Sequence, residues 1–229
     1  MKAIVIPTYQ EAGNLPTLLE RLAPVQAQII IVDDGSPDGT ADIAEAAGCT
    51  VLRRPGKQGL ASAYVLGMGH ALQIGADTIV QMDADLSHRP EDVPRLIAGL
   101  EQADLVLGSR WVPDGGTENW EASRMALSRF GSAYARTWLG LSFRDLTGGF
   151  KCWSADLLDR IDLPTITSEG YAFQVETTWR AHRRQARITE VPIVFDDRLA
   201  GDSKMSWGIA VEAAWVVPRL RWTDPGGNR

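Results

Sequence analysis

Short apolar runs alternate with longer stretches of helical periodicity through the first half of the chain. The runs at 3–6, 28–32, 50–52, 78–82 and 105–109 are largely apolar and show no polar face. That pattern predicts strands buried on both sides. Helices are expected between them over 14–22, 41–47, 61–74 and 91–102. Asn14 and Pro16 start the first, Thr40 offers an N-cap for the second, and Gly48 and Gly75 end the second and third. Strands alternating with helices predict an α/β fold with a mainly parallel sheet covered on both faces. Further on, Met125, Leu127, Phe130, Ala133 and Tyr134 leave room for a helix that Gly131 weakens, and another helix starts near Tyr171. The stretch from Trp207 to Trp222 predicts a last helix that Pro218 stops or kinks.

Composition narrows the function classes. The chain has 229 residues, enough for one large domain or two small ones. Its net charge of −6 argues against a general nucleic-acid binder. Cys49 and Cys152 are the only cysteines and show no paired spacing, so neither a zinc site nor a disulfide framework is expected. A strand starting at Ala3 leaves no room for a signal peptide, and no apolar run reaches the roughly 18 residues of a membrane span.

Candidate chemistry gathers where the strands end. The fourth strand runs into Asp83-Ala84-Asp85-Leu86-Ser87-His88, two carboxylates two positions apart. Ligands of open α/β sheets bind beyond the carboxyl ends of strands. Two hard oxygen donors there suit Mg²⁺ or Mn²⁺, whose shell substrate phosphates would complete. The first strand is followed by Pro7-Thr8-Tyr9-Gln10-Glu11, the second by Asp33-Asp34-Gly35-Ser36-Pro37-Asp38-Gly39-Thr40. Neither carries a dinucleotide fingerprint or a P-loop. An acidic residue past the second strand is placed to meet a ribose hydroxyl; the same residues also suit a plain turn with a helix cap.

Taken in order, these segments, Gly108-Ser109-Arg110, Asp145-Leu146-Thr147-Gly148-Gly149-Phe150-Lys151, Gly170 to Glu176 and Arg198-Leu199-Ala200-Gly201-Asp202-Ser203-Lys204-Met205 resemble the inverting GT-A glycosyltransferases of family 2. More narrowly, they are similar to dolichyl-phosphate and polyprenyl-phosphate mannose synthases. The resemblance runs from about Ala3 to Trp207. It implies a single GT-A domain over 1–229, with a nucleotide-sugar half at 1–110 and an acceptor and membrane-facing half at 111–229. It places Pro7, Tyr9, Glu11, Val32 and Asp34 around the nucleoside, and Asp83, Ala84 and Asp85 around diphosphate, sugar and metal. Ser87 stands where some relatives carry Gln as an extra ligand; a serine hydroxyl is the weaker metal donor. Arg110, Arg198 and Lys204 match phosphate-holding positions, and Asp85 with these three forms the expected catalytic set. Arg offers phosphate a planar fork, Lys a movable point charge.

The activity implied is transfer of mannose from GDP-mannose to a polyprenyl monophosphate; UDP-glucose as donor, or a non-catalytic nucleotide-sugar-binding module, are the alternatives. Arg124, Gln174 and Glu176 are expected at the acceptor, although Glu176 is equally placed to pair with Arg180 four residues on. Asp145 is placed either to orient an Arg or to receive a sugar hydroxyl. Residues 123–144 hold four Arg and no acid among bulky apolar side chains, and the last helix holds three Trp. Both suit the headgroup boundary of a membrane, with an ordinary packed helix as the plainer reading. The expected location is peripheral at the cytoplasmic face, with room for a separate membrane-anchor protein. Residues 196–206 are expected to form a lid.

Overall fold

The computed structural model describes residues 1–197 and 207–222, giving only the main-chain course for 207–214. Arg198, Lys204 and most of the expected lid therefore lie outside the described residues. A seven-stranded sheet holds the molecule together, in the order β3-β2-β1-β4-β7-β5-β8. Its strands are β1 (Lys2–Thr8), β2 (Gln28–Asp33), β3 (Thr50–Arg53), β4 (Thr78–Gln81), β5 (Leu105–Ser109), β7 (Lys151–Ser154) and β8 (Ile188–Pro192). All neighbours run parallel except β7, which is antiparallel to β4 and β5. A small parallel pair, β6 (Gly116–Thr117) with β9 (Val194–Phe195), stands apart from it.

Side chains alternate along each strand, so the apolar runs feed two cores. Ala3, Val5, Ile30, Val32 and Ile79 pack on one side of the sheet. Ile4, Ile6, Ile31 and Val80 pack on the other. Each fully buried aliphatic side chain contributes about 1.5–3 kcal/mol, which makes double-sided burial the reason for the continuous apolar pattern. The covering helices are α1 (Leu15–Leu22), α2 (Thr40–Ala46), α3 (Leu60–Gln73), α4 (Val93–Gly99), α5 (Ala122–Leu139), α6 (Ala155–Arg160), α7 (Gly170–Arg183) and α8 (Trp207–Trp222). Helix α3 lies very close to the sheet: a Cβ on Gly67 would stand 2.4 Å from Val5 Cγ1 and 2.9 Å from Val32 Cγ2.

Three expectations need correction. Thr40 opens α2 but does not cap it; the cap is Gly39 at φ +85°, and the Thr40 hydroxyl donates to Asp38 and accepts from the Glu11 N–H. The helix expected over 91–102 is shorter, because a 3-10 turn at Pro90–Asp92 precedes α4 and i→i−3 bonds replace helical ones at 100–102. Pro218 does not stop the last helix. Val217 and Leu220 are buried against α5 and α7, and Trp179 Nε1 donates to the Leu220 carbonyl, so packing carries α8 on to Trp222. Among the described residues no helix is long and apolar enough to cross a membrane.

Candidate active site

The parallel strands β1, β2, β3, β4 and β5 all end at one edge of the sheet, and β7 begins there, so their loops meet over one cleft. Loops after β1 and β2 are laced by the Gln10 N–H to Ser36 Oγ (2.9 Å) and the Ala12 N–H to Asp38 Oδ2 (3.1 Å). Asp33 is spent inside this turn, accepting from Thr8 and from Ser36. Asp34 projects beyond it and pairs with Arg54 at the end of β3; Arg54 also donates to Ser62 and to the Gly59 carbonyl. Tyr9 lies beneath Lys57, whose Nζ is 3.7 Å from the ring centroid. Pro7 and Glu11 sit at the same rim, partly buried. Val32 differs: its side chain is wholly buried beneath α3 and belongs to the core.

The turn after β4 holds both candidate metal carboxylates. Asp83 Oδ1 accepts from the buried Tyr64 hydroxyl at 2.6 Å, and the Asp83 N–H donates to His88 Nδ1 at 3.0 Å. Burial, and next the Asp83 charge, push the Tyr64 hydroxyl well above its ordinary pKa, so it stays a donor. His88 is held in turn by stacking on Phe150 and by the edge of Phe195, and fixes the loop. Leu86 adopts φ +63°, a strained value for a branched residue. The bend returns Ser87, whose N–H and hydroxyl both donate to Asp85 Oδ1 (3.1 and 2.5 Å). Ser87 thus orients Asp85 and is not itself presented as a ligand. Ala84 is buried between the two carboxylates. Two oriented carboxylates fit a divalent ion that keeps other positions for phosphate and water. No group of three or more His, Cys, Asp or Glu that could hold a metal exists among the described residues.

Beyond β5 stands a buried ion pair. Arg110 Nε and Nη2 grip the two oxygens of Asp145 (2.6 and 2.7 Å), Nη2 also reaches Thr147, and the Arg110 N–H adds a third bond to Asp145. Burial works against both charges, but the partner's charge outweighs it: Arg110 is raised and Asp145 held below the usual carboxylate range. Arg110 is expected at a phosphate; Asp145 takes the Nε–Nη2 edge of its guanidinium and orients it. The pair fixes the 145–149 loop, where a Cβ on Gly149 would stand 3.4 Å from Gln174 Nε2 and 3.8 Å from Asp83 Oδ2. Gln174 Nε2 thus lies beside Gly149, on the side of the loop that Asp83 borders. Glu176 does not reach the cleft: Oε1 is taken by Arg180 at 2.5 Å and Oε2 by Ser168, so the i,i+4 pair is the outcome. Arg124 donates to Asp197 at 2.6 Å and lies 4.0 Å over the Trp120 ring.

Sequence reasoning overlooked Tyr64, Arg54, Lys57 and the role of Lys151. A buried Tyr hydroxyl usually has a partner, which was the available signal for Tyr64. Lys151 is enclosed beneath the cleft, donating to the Gln174 carbonyl, Thr177 and Thr178 at 2.8–3.1 Å.

The chain is similar in sequence and in fold to known proteins. Undecaprenyl-phosphate mannosyltransferase of Micrococcus luteus is 48% identical over 225 residues, spanning 95% of this chain and 92% of that protein. Polyprenol monophosphomannose synthase of Mycolicibacterium smegmatis is 41% identical over 223 residues, 93% of this chain and 84% of that one. Glucosyl-3-phosphoglycerate synthase from Mycobacterium tuberculosis, solved with phosphoglyceric acid, superposes with a TM-score of 0.71 at 19% identity, covering 100% of this chain and 81% of that chain. A further structure of that enzyme, with Mn²⁺, UDP-glucose and phosphoglyceric acid, gives 0.72 at 20% identity over 96% of this chain and 78% of that one. The fold is therefore GT-A, and residues 3–162 match the glycosyl transferase family 2. The chain belongs to glycosyl transferase family 2 and is a glycosyltransferase.

Proposed function

We propose that the protein transfers mannose from GDP-mannose to a polyprenyl monophosphate, with inversion and with a divalent ion at Asp83 and Asp85. The observation that carries the reading is the pair of oriented carboxylates at the end of β4, in a chain similar along nearly its whole length to two enzymes named for polyprenyl-phosphate mannose transfer. The nucleophile is an acceptor phosphate oxygen, ionised at neutral pH, so no general base is required. It attacks the anomeric carbon as the bond to the nucleoside diphosphate breaks, and in-line attack turns an α-linked donor into a β-linked lipid product. What this chain must supply is alignment of two anions that repel each other. A bound Mg²⁺ or Mn²⁺ would act as Lewis acid toward the leaving diphosphate.

Asp34, held by Arg54, is the partner for the ribose. Tyr9 and Glu11, with the main chain around Pro7, line the nucleoside side. Arg110, oriented by Asp145, with Arg198 and Lys204 are the cations for donor and acceptor phosphates, and Arg124 stands at the acceptor. Docking is peripheral, at the cytoplasmic face of a membrane. Phe130, Trp138, Trp215 and Trp222 are exposed on α5 and α8, as headgroup-seeking side chains are. A separate membrane protein would share that contact. The test is a donor panel with polyprenyl phosphate and Mg²⁺ or Mn²⁺, with and without chelator. Turnover of GDP-mannose that chelator stops is expected. Preference for UDP-glucose would overturn the donor, and binding without turnover would leave a nucleotide-sugar-binding module.

A further inference from the structure

A chain of side-chain amides runs through the core toward the cleft and has no place in the chemistry above. Gln81 on β4 and Trp153 on β7 are wholly buried, and Gln174 on α7 nearly so. Trp153 Nε1 donates to Gln81 Oε1 at 3.3 Å, and Gln81 Nε2 donates to Gln174 Oε1 at 2.9 Å. An amide buried in a central strand costs free energy unless both its ends are bonded. Neither Gln81 nor Trp153 forms part of the cleft described above; what they do is hold Gln174.

The polarity of this chain is fixed at one end. A glutamine amide has nearly the same shape when its O and N exchange places, so shape alone does not decide which end faces out. An indole N–H only donates. It therefore requires the oxygen of Gln81, which turns the nitrogen of Gln81 toward Gln174, which in turn claims the oxygen of Gln174. The NH₂ of Gln174 is left to face outward. Lys151 donates to the Gln174 main-chain carbonyl at 2.8 Å and pins the helix turn from below.

Outward means the space over Gly149. The point a Cβ would occupy there is 3.4 Å from Gln174 Nε2 and 3.8 Å from Asp83 Oδ2. His88 Cε1 lies 3.7 Å from the same point, and with Asp83 given to the divalent ion the polar group that space offers is the Gln174 NH₂, a neutral donor that fits a hydroxyl oxygen. We infer that Gln174 Nε2 donates to a hydroxyl of the donor sugar, and that Trp153 and Gln81 are positioning residues that keep its NH₂ outward. The inference rests on the glycosyl transfer proposed above and adds to it a residue that selects the sugar.

The test uses the full chain and the donor that the panel finds active, alongside analogues each lacking one ring hydroxyl. In the unmodified protein one analogue should lose about 10- to 100-fold in kcat/KM, the cost of leaving the one neutral donor of Gln174 unpaired. Gln174→Met keeps the length and removes the donor. It should lose about 10-fold on the natural donor, as a lost hydrogen bond would give, and show no further loss on that one analogue. The other analogues should keep their original ratios. Gln81→Met and Trp153→Phe break the chain away from the cleft, and should shrink the same analogue's penalty without abolishing turnover. A uniform drop across all analogues, in whichever variants fold, would overturn the inference and leave a packing role. Absence of turnover by the unmodified protein with every donor would instead overturn the proposed function.

Discussion

Lys151 offers the sharpest quantitative test of the fold. Its ammonium is enclosed between β7 and α7, with the Gln174 carbonyl and the hydroxyls of Thr177 and Thr178 as partners. Asp145, whose charge acts on it, is paired with Arg110. Burial lowers the Lys151 pKa from 10.5 to about 7, with Asp145 opposing the fall. The gap corresponds to about 5 kcal/mol between charged and neutral forms. A depressed amine pKa means that the unfolded chain binds a proton the folded chain has released, from about pH 7 up to about 10.5. Stability from this group therefore rises with pH across that window, by up to about 1.4 kcal/mol per pH unit. Below it both states are protonated and the full penalty stands.

Lys151→Met keeps the length of the side chain and removes the titration. Urea unfolding of both proteins from about pH 6 to about pH 10 measures the difference directly. The stability of the unmodified protein relative to the variant should be flat below about pH 7 and climb by about 4 kcal/mol by about pH 10. Tyr64 and Cys152, whose pKa values burial raises, are present in both proteins and cancel. Parallel profiles would refute the reasoning and show an ammonium fully supported in its charged form by three oxygens.

Asp85→Asn should cut transfer at least about 100-fold while circular dichroism and the melting temperature stay put, since a neutral amide binds a hard cation poorly. Asp145→Ala should cost about 3–5 kcal/mol in urea unfolding, because Arg110 is left buried and unpaired, and adding Arg110→Met should recover part of it. Replacing Trp215, Trp222 and Phe130 by Ser should abolish flotation with anionic liposomes at unchanged kcat toward a short-chain soluble acceptor.

What the sequence made legible followed from how each feature is encoded. The strands of the parallel half were legible because burial on both faces writes itself as an unbroken apolar run, as in Ile4–Val5–Ile6. Strand β7 was not, because Lys151 and Ser154 interrupt it and its lysine is buried only by virtue of α7 folding back. The loops after β1, β2 and β4 were legible from Asp, Gly and Pro placed where parallel strands end. Their partners were not: Tyr64 is 19 residues from Asp83, and Arg54 is 20 from Asp34. Such pairings depend on which helix lies over which strand. Glu176 had two readings of equal standing, and the choice fell to Ser168, whose hydroxyl occupies the second oxygen.

Helix α5 joins the two ends of the proposed reaction. On its inner side Ser128 and Ser132 contact Thr147 at 3.3 Å, and Thr147 accepts from Arg110, so the helix is bonded to the ion pair that fixes the cleft loop. On its outer side Phe130, Tyr134 and Trp138 follow at i,i+4 spacing, ring against ring. Arg221 of α8 donates to the Trp138 carbonyl, tying the second aromatic helix to the first. A bilayer surface meeting these rings would thus lie one helix thickness from the floor of the cleft. With Arg124 as the proposed acceptor residue, a lipid whose tail stays in the bilayer would need to raise only its phosphate past it to reach the donor. On the proposed function, such a path would let a chain with no spanning helix among its described residues act on a substrate anchored in lipid.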